Sequence, residues 1–170
     1  SKSWWQRTAH TPGAILGSTR KRLEDERVSE IIKTLSDHSV GYLFIIGGND
    51  SAETGHKIAV EVLSSNIEIR IVNVPKTIDN DLAATDHSPG YGSAARFVSL
   101  ATMGIGRDAE TMGHASPITI MEVMGRNSGW LAASSAISKY ENMDAPHLIC
   151  VPEIPIDETR FLDVIANAYD

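Results

Sequence analysis

The sequence predicts a three-layer α/β fold, in which helices cover both faces of a mainly parallel sheet. Short runs rich in Val, Ile and Leu alternate along the chain with longer segments of helical periodicity, which is typical of parallel sheets with helical crossovers. Each run ends in a loop rich in glycine or polar residues. The 170 residues, 42% hydrophobic and 22% charged, suffice for one domain with a buried core. Residues 1–170 are therefore interpreted as a single domain.

The predicted elements follow from the spacing of the apolar residues. The first helix is expected over residues 24–39, where apolar side chains recur at the i, i+3, i+4 and i+7 positions of one helix face. Asp157 is expected to cap the last helix. Residues 1–12 have no clear period. The remaining helices are expected from about residue 58, over 91–112 and over 130–138, and the strands over 42–46, 69–74, 118–123 and 147–151.

The composition argues against several classes of protein. A formal net charge of −7, with no block of Lys or Arg to offset it, argues against a nucleic-acid partner. No apolar run approaches the roughly 20 residues of a membrane span, and no secretory leader is visible. The single cysteine, Cys150, excludes an internal disulfide framework and is expected to be a buried thiol within an apolar run. A cytoplasmic protein without membrane or nucleic-acid partners is therefore expected.

The loop from Pro75 to Asp81 holds the densest group of reactive side chains. It reads Pro-Lys-Thr-Ile-Asp-Asn-Asp and follows a buried strand, whose ladder Pro75 cannot continue. Its two carboxylates can hold a divalent cation or take a proton, and Lys76 can meet an anion. The alternative is a solvated acidic turn. A binding site is favoured because the loops that follow parallel strands meet at one edge of the sheet, and four unusual loops would meet there.

A glycine-rich loop offers a second contact for an anion. Gly47 and Gly48 follow a strand and open a helix, whose free amides and dipole favour negative charge. Plain strand-to-helix turns use the same pair of residues. Asp50 and Ser51 either cap that helix or stand at the mouth of a phosphate pocket, where Asp50 would need a cation or Lys76 as its partner.

Two arginines are candidates for direct contact with the anion. Arg126 follows a glycine in a short polar turn and could fork onto a phosphate or carboxylate, although an isolated arginine is more often a surface charge. Arg20 could approach from the first segment. The six histidines show no paired ligand spacing, so no transition-metal site is assigned.

These loops resemble those of the 6-phosphofructokinases. Three motifs carry the resemblance: Gly-Gly-Asn-Asp-Ser at 47–51, Pro-Lys-Thr-Ile-Asp-Asn-Asp at 75–81, and Glu-Val-Met-Gly-Arg-Asn-Ser-Gly-Trp-Leu-Ala at 122–132. Residues 15–20 are similar to the family's Phe-Leu-Gly-Ser-Ala-Arg segment. The resemblance covers most of the chain and implies a phosphofructokinase-like, Rossmann-like fold. It also implies that the chain is the central part of an N-terminal domain, without the family's opening strand and second half.

The resemblance implies transfer of a phosphoryl group to the 1-hydroxyl of fructose 6-phosphate, with Mg2+ as cofactor. Asp79 resembles the general base that takes the hydroxyl proton, and Thr77 the residue that contacts the sugar and the transferring group. Asp81 would act near the cation, with Asn49 as a weaker ligand. The implied catalytic residues are Lys76, Thr77, Asp79 and Arg126; the substrate contacts are Thr77, Ile78, Asp79, Met124, Gly125 and Arg126; the donor-phosphate contacts are Arg20, Gly47, Gly48, Asn49, Asp50 and Ser51.

Two positions bear on the phosphoryl donor. ATP-using members of the family typically have glycine where this chain has Asp50 and Lys76, and pyrophosphate-using members resemble this chain at both positions. A carboxylate at position 50 would fill and charge the space of an adenylate's α-phosphate, and Lys76 would supply a cation to the remaining phosphate. Pyrophosphate is therefore the expected donor, and ATP the alternative.

Two departures from the family's pattern leave another class of function open. Asn49 stands where an acid usually helps to bind Mg2+, and Pro117 stands near an arginine that reaches across a subunit contact to the sugar phosphate. A non-catalytic paralogue or regulatory subunit is therefore a further alternative. The full-length protein is expected to be a homo-oligomer, and the 170 residues alone are expected to be inactive.

Overall fold

A computed structural model describes residues 2–11, 13–15 and 17–169 of the chain. No helix within these ranges is long and apolar enough to cross a membrane. The helices are α1 (Lys2–Thr8), α2 (Val28–Asp37), α3 (Asn49–Ser64), α4 (Tyr91–Met112), α5 (Trp130–Ser134) and α6 (Glu158–Tyr169); the strands are β1 (Tyr42–Gly47) and β2 (Arg70–Pro75); single 3₁₀ turns lie at Asp25–Arg27, Gly113–Ala115 and Ser135–Ser138.

The two strands form a parallel pair, as the sequence predicts. Tyr42 lies opposite Arg70 and Gly47 lies opposite Pro75, with α3 as the crossover between the strands. The Lys76 amide donates a hydrogen bond to the Gly47 carbonyl oxygen at 2.9 Å. Because both strands end at the same edge of the sheet, the loops that follow them start side by side.

The first hydrophobic core lies between this sheet and two helices. Its buried side chains are contributed by α2, α3 and the residue before β2, and alternate residues of β1 pack against them. This alternation places one face of the strand on the helices. Each buried aliphatic side chain of this kind contributes about 1.5–3 kcal/mol to folding. The fully buried members are Val28, Ile32, Ile58, Val62 and Ile69.

A second core holds the long helix α4 in place. Ala95 and Val98 of α4 pack with Leu131 of α5, and the partly buried Met121 and Val123 lie against them. The predicted third strand therefore brings Met121 and Val123 into a core, although it is not a strand in the structure and its Ile118 and Ile120 are exposed.

Two of the four predicted strands are not formed. Residues 118–123 and 147–151 are not β-strands. A β-strand requires hydrogen bonds to a neighbouring strand, and neither segment has such a neighbour among the described residues. The prediction of a buried thiol at Cys150, within the second of these segments, is wrong as well: the thiol is exposed. The apolar composition of these two segments predicts burial, but it does not show whether a neighbouring strand is present to pair with them.

Two helical predictions also differ from the structure. A helix, α1, forms where no period was visible, and its neighbouring Trp4 and Trp5 rings meet edge to face with centroids 4.6 Å apart. The predicted helix over 130–138 is α5 followed by a 3₁₀ turn. In that turn Ser135 and Ser138 donate their hydroxyls to carbonyl oxygens three residues earlier, which favours the tighter turn. Asp157 caps α6 as predicted, accepting the Arg160 amide at 2.9 Å.

The second face of the sheet is open within the part of the chain that the structure describes. Tyr42, Phe44 and Ile46 of β1 are 59–62% exposed, and Val72 and Val74 of β2 are 37% exposed. The helices α2 and α3 cover only the opposite face. The described residues thus show one of the two helical layers on this strand pair.

Asp144 fixes the turn that follows the last 3₁₀ segment. Its carboxylate accepts the amides of Glu141 at 2.9 Å and Tyr140 at 3.1 Å, and it meets the Arg107 guanidinium of α4 at 3.0 Å. The two backbone hydrogen bonds, the one from Glu141 above all, together with Arg107 hold the pKa of this carboxyl below its ordinary value of 3.8.

We predict that Asp144→Asn lowers the thermal stability of the protein at pH 7 but not in strong acid. A carboxyl whose pKa is lowered by folding stabilises the folded state above the unfolded pKa, and this contribution is lost as the pH falls through the folded pKa. Melting temperatures of wild type and variant, measured from pH 7 to below pH 3.8, should therefore converge on acidification. Asp108→Asn, next to Arg107 on α4, is the control. A difference in melting temperature between wild type and Asp144→Asn that does not depend on pH would contradict the prediction.

Candidate active site

The loop after β2 is anchored at its start to the segment that precedes α4. The Thr77 amide donates to the Pro89 carbonyl oxygen at 3.1 Å, and Thr77 forms an isolated parallel bridge with Gly90. The Thr77 hydroxyl oxygen in turn accepts the Asp79 amide at 3.2 Å. The main chain on the amino-terminal side of Asp79 is therefore fixed by hydrogen bonds.

Asp79 lies where the loop after β2, residues 75–81, meets the polar turn at residues 124–129; we call these the second and third loops. Its carbonyl oxygen accepts the Ser128 hydroxyl at 2.9 Å. Its side-chain Oδ1 is buried and has no hydrogen-bond partner among the described residues. A buried carboxylate oxygen without a partner costs folding free energy, so its presence on an otherwise well-bonded loop indicates a group kept available for chemistry.

Asp81 lies against the amino terminus of α3. The side-chain nitrogen Nδ2 of Asn49 donates a hydrogen bond to Asp81 Oδ2 at 3.0 Å. Gly48 is the residue before the helix, and no side-chain hydrogen bond caps this end. The alternative that Asp50 and Ser51 cap the helix is therefore wrong. The Ser51 and Ala52 amides instead both bond to the Gly48 carbonyl oxygen.

The charged side chains around these loops are less constrained. Asp50 meets Arg22 at 3.6 Å, but both side chains are more than three quarters exposed, so this ion pair is weak. Lys76, Arg126 and Arg20 are exposed, and no ion pair or side-chain hydrogen bond to another described residue holds them. The structure thus brings the three loops together without fixing these three cations on the site.

The remaining predicted contacts divide into two kinds. The partly buried side chain of Ile78 packs against the second core. Met124 is 55% exposed beside Gly125. Gly125 has a φ of +122°, a conformation that favours glycine, and a Cβ at this position would clash with the Ser128 carbonyl oxygen. This turn is what brings Ser128 round to Asp79.

The fourth loop, which follows residues 147–151, contacts the third loop at Gly129. The Gly129 amide donates to Glu153 Oε1 at 2.8 Å. A Cβ on Gly129 would lie 2.6 Å from the Val151 side chain and 2.7 Å from that of Glu153. The loops after all four predicted strands are therefore connected by direct contacts, as expected for one edge of a parallel sheet.

Sequence reasoning assigned no role to two residues that hold this arrangement, Asn80 and Ser128. Both are 6% exposed, and both act through hydrogen bonds to main-chain groups of distant loops. Asn80 did carry a signal, because asparagine between two acids in a tight loop is the residue expected at positive φ. Ser128 carried none beyond its place in a glycine-bounded turn.

The comparison with known proteins agrees with this arrangement. The phosphofructokinase family model matches residues 2–170 of the chain. The chain belongs to the phosphofructokinase family. A solved pyrophosphate-dependent phosphofructokinase from Marinobacter aquaeolei superimposes with a TM-score of 0.87 at 35% identity, over 99% of this chain and 42% of its own. The predicted fold class, a three-layer α/β fold of the phosphofructokinase type, is therefore confirmed.

The curated relatives of this phosphofructokinase chain differ in the donor that their names state. The pyrophosphate–fructose 6-phosphate 1-phosphotransferase of Rhodospirillum rubrum is 42% identical over 162 residues, which are 95% of this chain and 39% of the relative. An ATP-dependent 6-phosphofructokinase of Trypanoplasma borreli is 32% identical over 157 residues, 92% of this chain and 30% of the relative. The chain thus spans about two fifths of the length of the first of these relatives.

We predict that Gly129→Ala destabilises the protein by about 1–3 kcal/mol, the usual cost of inserting a methyl group into a filled space. The backbone there, with φ −85° and ψ 10°, suits alanine, so the cost arises from the contacts with Val151 and Glu153. Urea unfolding measures it. Gly104→Ala in α4, where a Cβ meets nothing within 4 Å, is the matched control and should stabilise by about 0.4–1 kcal/mol. Equal effects of the two substitutions would contradict the prediction.

Proposed function

We propose that, within the whole protein, this chain supplies the loops that transfer a phosphoryl group from pyrophosphate to the 1-hydroxyl of fructose 6-phosphate. Family membership and the names of the more similar relatives support the reaction class. One structural observation carries the proposal: the loop of residues 77–81 is held between the amino terminus of α3 and Ser128, and Asp79 Oδ1 has no hydrogen-bond partner within the part of the chain that the structure describes. Phosphoryl transfer depends chiefly on such positioning and on charge neutralisation.

Asp79 is the proposed general base. The 1-hydroxyl of the sugar gives its proton to the carboxylate as its oxygen forms a bond to phosphorus, and the bridging bond of pyrophosphate breaks to release phosphate. Asp79 Oδ1, which no described residue engages in a hydrogen bond, can accept this proton directly. The fixed main chain around Asp79 keeps that oxygen in one place, which is the requirement for a near-attack geometry.

Asp81 and Asn49 are proposed to face a magnesium ion that enters with the phosphates. Their donor set fits such an ion, because Mg2+ is usually held by one or two carboxylates while phosphates and water complete its shell. Asp81 supplies a carboxylate beside the amino terminus of α3, and Asn49 supplies a neutral amide next to it. When bound, the ion would neutralise charge on the transferring group.

The donor side is proposed to lie along the start of α3, with Arg20, Gly47, Gly48 and Ser51. Asp50 lies in the first turn of this helix, and its carboxylate forms an ion pair with Arg22 at 3.6 Å. The negative charge of Asp50 would repel the longer phosphate chain of a nucleotide, whereas Lys76 can pair with the phosphate of pyrophosphate. ATP is the second candidate donor, which the name of the Trypanoplasma borreli relative favours.

The sugar side is proposed to comprise the third loop. Arg126 is exposed and without an ion pair among the described residues, so its guanidinium is available to fork onto the sugar phosphate. Met124 and Gly125 would flank the sugar, and Thr77 would contact the transferring group beside the main chain of Ile78. The whole protein is proposed to be a cytoplasmic homo-oligomer, as the resemblance implies.

Replacing Asp79 by serine should lower kcat of the whole enzyme by about 10²–10⁴-fold, because general base catalysis contributes that much. The dissociation constant for fructose 6-phosphate should change little, since the loop keeps its main-chain anchors. Steady-state kinetics with pyrophosphate and a binding titration measure the two quantities. Asp37→Ser, at the end of α2, is the control. Near-full activity of the Asp79 variant would show that another group is the base.

The donor assignment is tested by the double substitution Asp50→Gly with Lys76→Gly. We expect kcat/KM with ATP to rise and that with pyrophosphate to fall, each by about tenfold or more, which corresponds to 1.4 kcal/mol of differential binding. The single variants Asp50→Gly and Lys76→Gly show separately the effect of removing the carboxylate that repels ATP and the effect of removing the ammonium group that binds pyrophosphate. An unchanged donor preference would contradict the assignment, and a wild type that binds the sugar phosphate but turns over neither donor would favour a non-catalytic subunit.

A further inference from the structure

Asn80 stands between the two carboxylates of the loop, and no role proposed above uses it. It is the one buried residue of the three, with 6% of its surface exposed. Its φ is +56°, in the left-handed region that asparagine tolerates better than other side chains. The chain therefore reverses locally at Asn80, while Asp79 and Asp81 on either side remain partly exposed.

The Asn80 side chain makes two hydrogen bonds to the segment that leads into α4. Its Oδ1 accepts the Ser88 amide at 2.7 Å, and its Nδ2 donates to the Asp86 carbonyl oxygen at 3.2 Å. These partners fix the orientation of the amide, because a flipped amide would set donor against donor and acceptor against acceptor. Ser88 is fully buried, so its amide has no access to water in place of Asn80.

These bonds add a polar clamp to the middle of the loop. Ile78 packs there against the second core, and the Asp79 carbonyl oxygen accepts the Ser128 hydroxyl. Among the described residues, Asn80 is the one residue between Thr77 and Asp81 whose own side chain forms hydrogen bonds to the body of the protein. Each carboxylate is one residue away from this clamp. A movement of Asn80 therefore displaces both carboxylates together.

We propose that Asn80 is a positioning residue for phosphoryl transfer, which sets Asp79 and Asp81 in their working geometry by clamping the loop to residues 86–88. The inference deepens the proposed function and rests on it. Asn80 touches neither substrate in this role; it acts through the two acids. Its contribution therefore belongs to the rate of the chemical step more than to binding.

Asn66 offers a matched comparison within the same chain. It too is an asparagine at positive φ, 52°, but it is exposed and lies just beyond α3. Its backbone amide bonds to the Leu63 carbonyl oxygen, and no side-chain hydrogen bond of Asn66 is present among the described residues. Glycine accepts positive φ at both positions, so Asn80→Gly and Asn66→Gly differ in the loss of the clamp and not in backbone strain.

The test compares these variants in the whole protein with fructose 6-phosphate and pyrophosphate. For Asn80→Gly we expect kcat to fall about 10²-fold, the usual cost of displacing reacting groups by about 1 Å. KM for each substrate should stay within about threefold, because ground-state contacts are kept. Asn80→Asp keeps the acceptor for Ser88 but loses the donor to Asp86, so we expect about a tenfold loss of kcat, or 1.4 kcal/mol. Asn66→Gly should match wild type.

Amide hydrogen exchange of residues 77–90 provides a readout that is independent of activity. Exchange in this segment should be faster in Asn80→Gly than in wild type and unchanged in Asn66→Gly. If kcat of Asn80→Gly stays within about twofold of wild type, or if KM rises while kcat is kept, the inference is overturned. If Asn80→Gly does not fold, Asn80→Asp decides by the same criteria. A wild type without turnover refutes the proposed function, whereas unaltered exchange in the segment refutes the clamp whatever the activity.

Discussion

The arrangement of the site depends on how the main chain of the loop after β2 is satisfied. The Thr77 amide donates to the Pro89 carbonyl oxygen. The Asp79 carbonyl oxygen accepts the Ser128 hydroxyl, and Asn80 Oδ1 accepts the Ser88 amide. Buried peptide groups of a loop must find such partners, since water cannot reach them. These partners are main-chain groups and neutral side chains, so the Asp79 carboxylate is not needed to hold the loop, and its Oδ1 has no hydrogen-bond partner among the described residues. The Asp81 carboxylate, in contrast, accepts the side-chain amide of Asn49.

The parallel pairing of β1 and β2 places the other half of the site. The strands end at the same level, and the Lys76 amide bonds to the Gly47 carbonyl oxygen just past their ends. This contact brings the start of α3 against the loop, so that Asn49 meets Asp81 at 3.0 Å although 32 residues separate them in sequence. A slip in the strand register would part these two residues and leave each acid of the loop in solvent. The hydrophobic core between β1 and the helices, which fixes that register, is therefore also a condition for the site.

The sequence predicted what periodicity and strand ends determine, and it failed where the outcome depends on neighbours in space. The pairing of β1 with β2 and the meeting of the loops follow from apolar runs and crossover lengths. Residues 118–123 and 147–151 are rich in apolar residues, as β1 is, but lack a hydrogen-bonded neighbour among the described residues. Composition alone therefore overstated the sheet and misplaced Cys150. Hydroxyl groups that bond back to carbonyl oxygens shortened α5 in favour of a 3₁₀ turn. The roles of Asn80 and Ser128 depend on one positive φ and one turn, which no spacing rule encodes.

Asn49, which departs from the family's usual acid, changes the electrostatics of the loop in a definite direction. Two carboxylates about 3–4 Å apart repel each other by a few kcal/mol at the effective dielectric of a protein surface, and a cation must offset this before they can lie side by side. The amide of Asn49 instead donates to Asp81, so the contact between α3 and the loop is attractive without any ion. Asp81 therefore keeps its place in the absence of metal. Under the proposed function, a neutral amide would be the weaker ligand for a magnesium ion, while its hydrogen bond already holds Asp81 in position. For this reason Asn49 alone does not favour a non-catalytic protein over an enzyme.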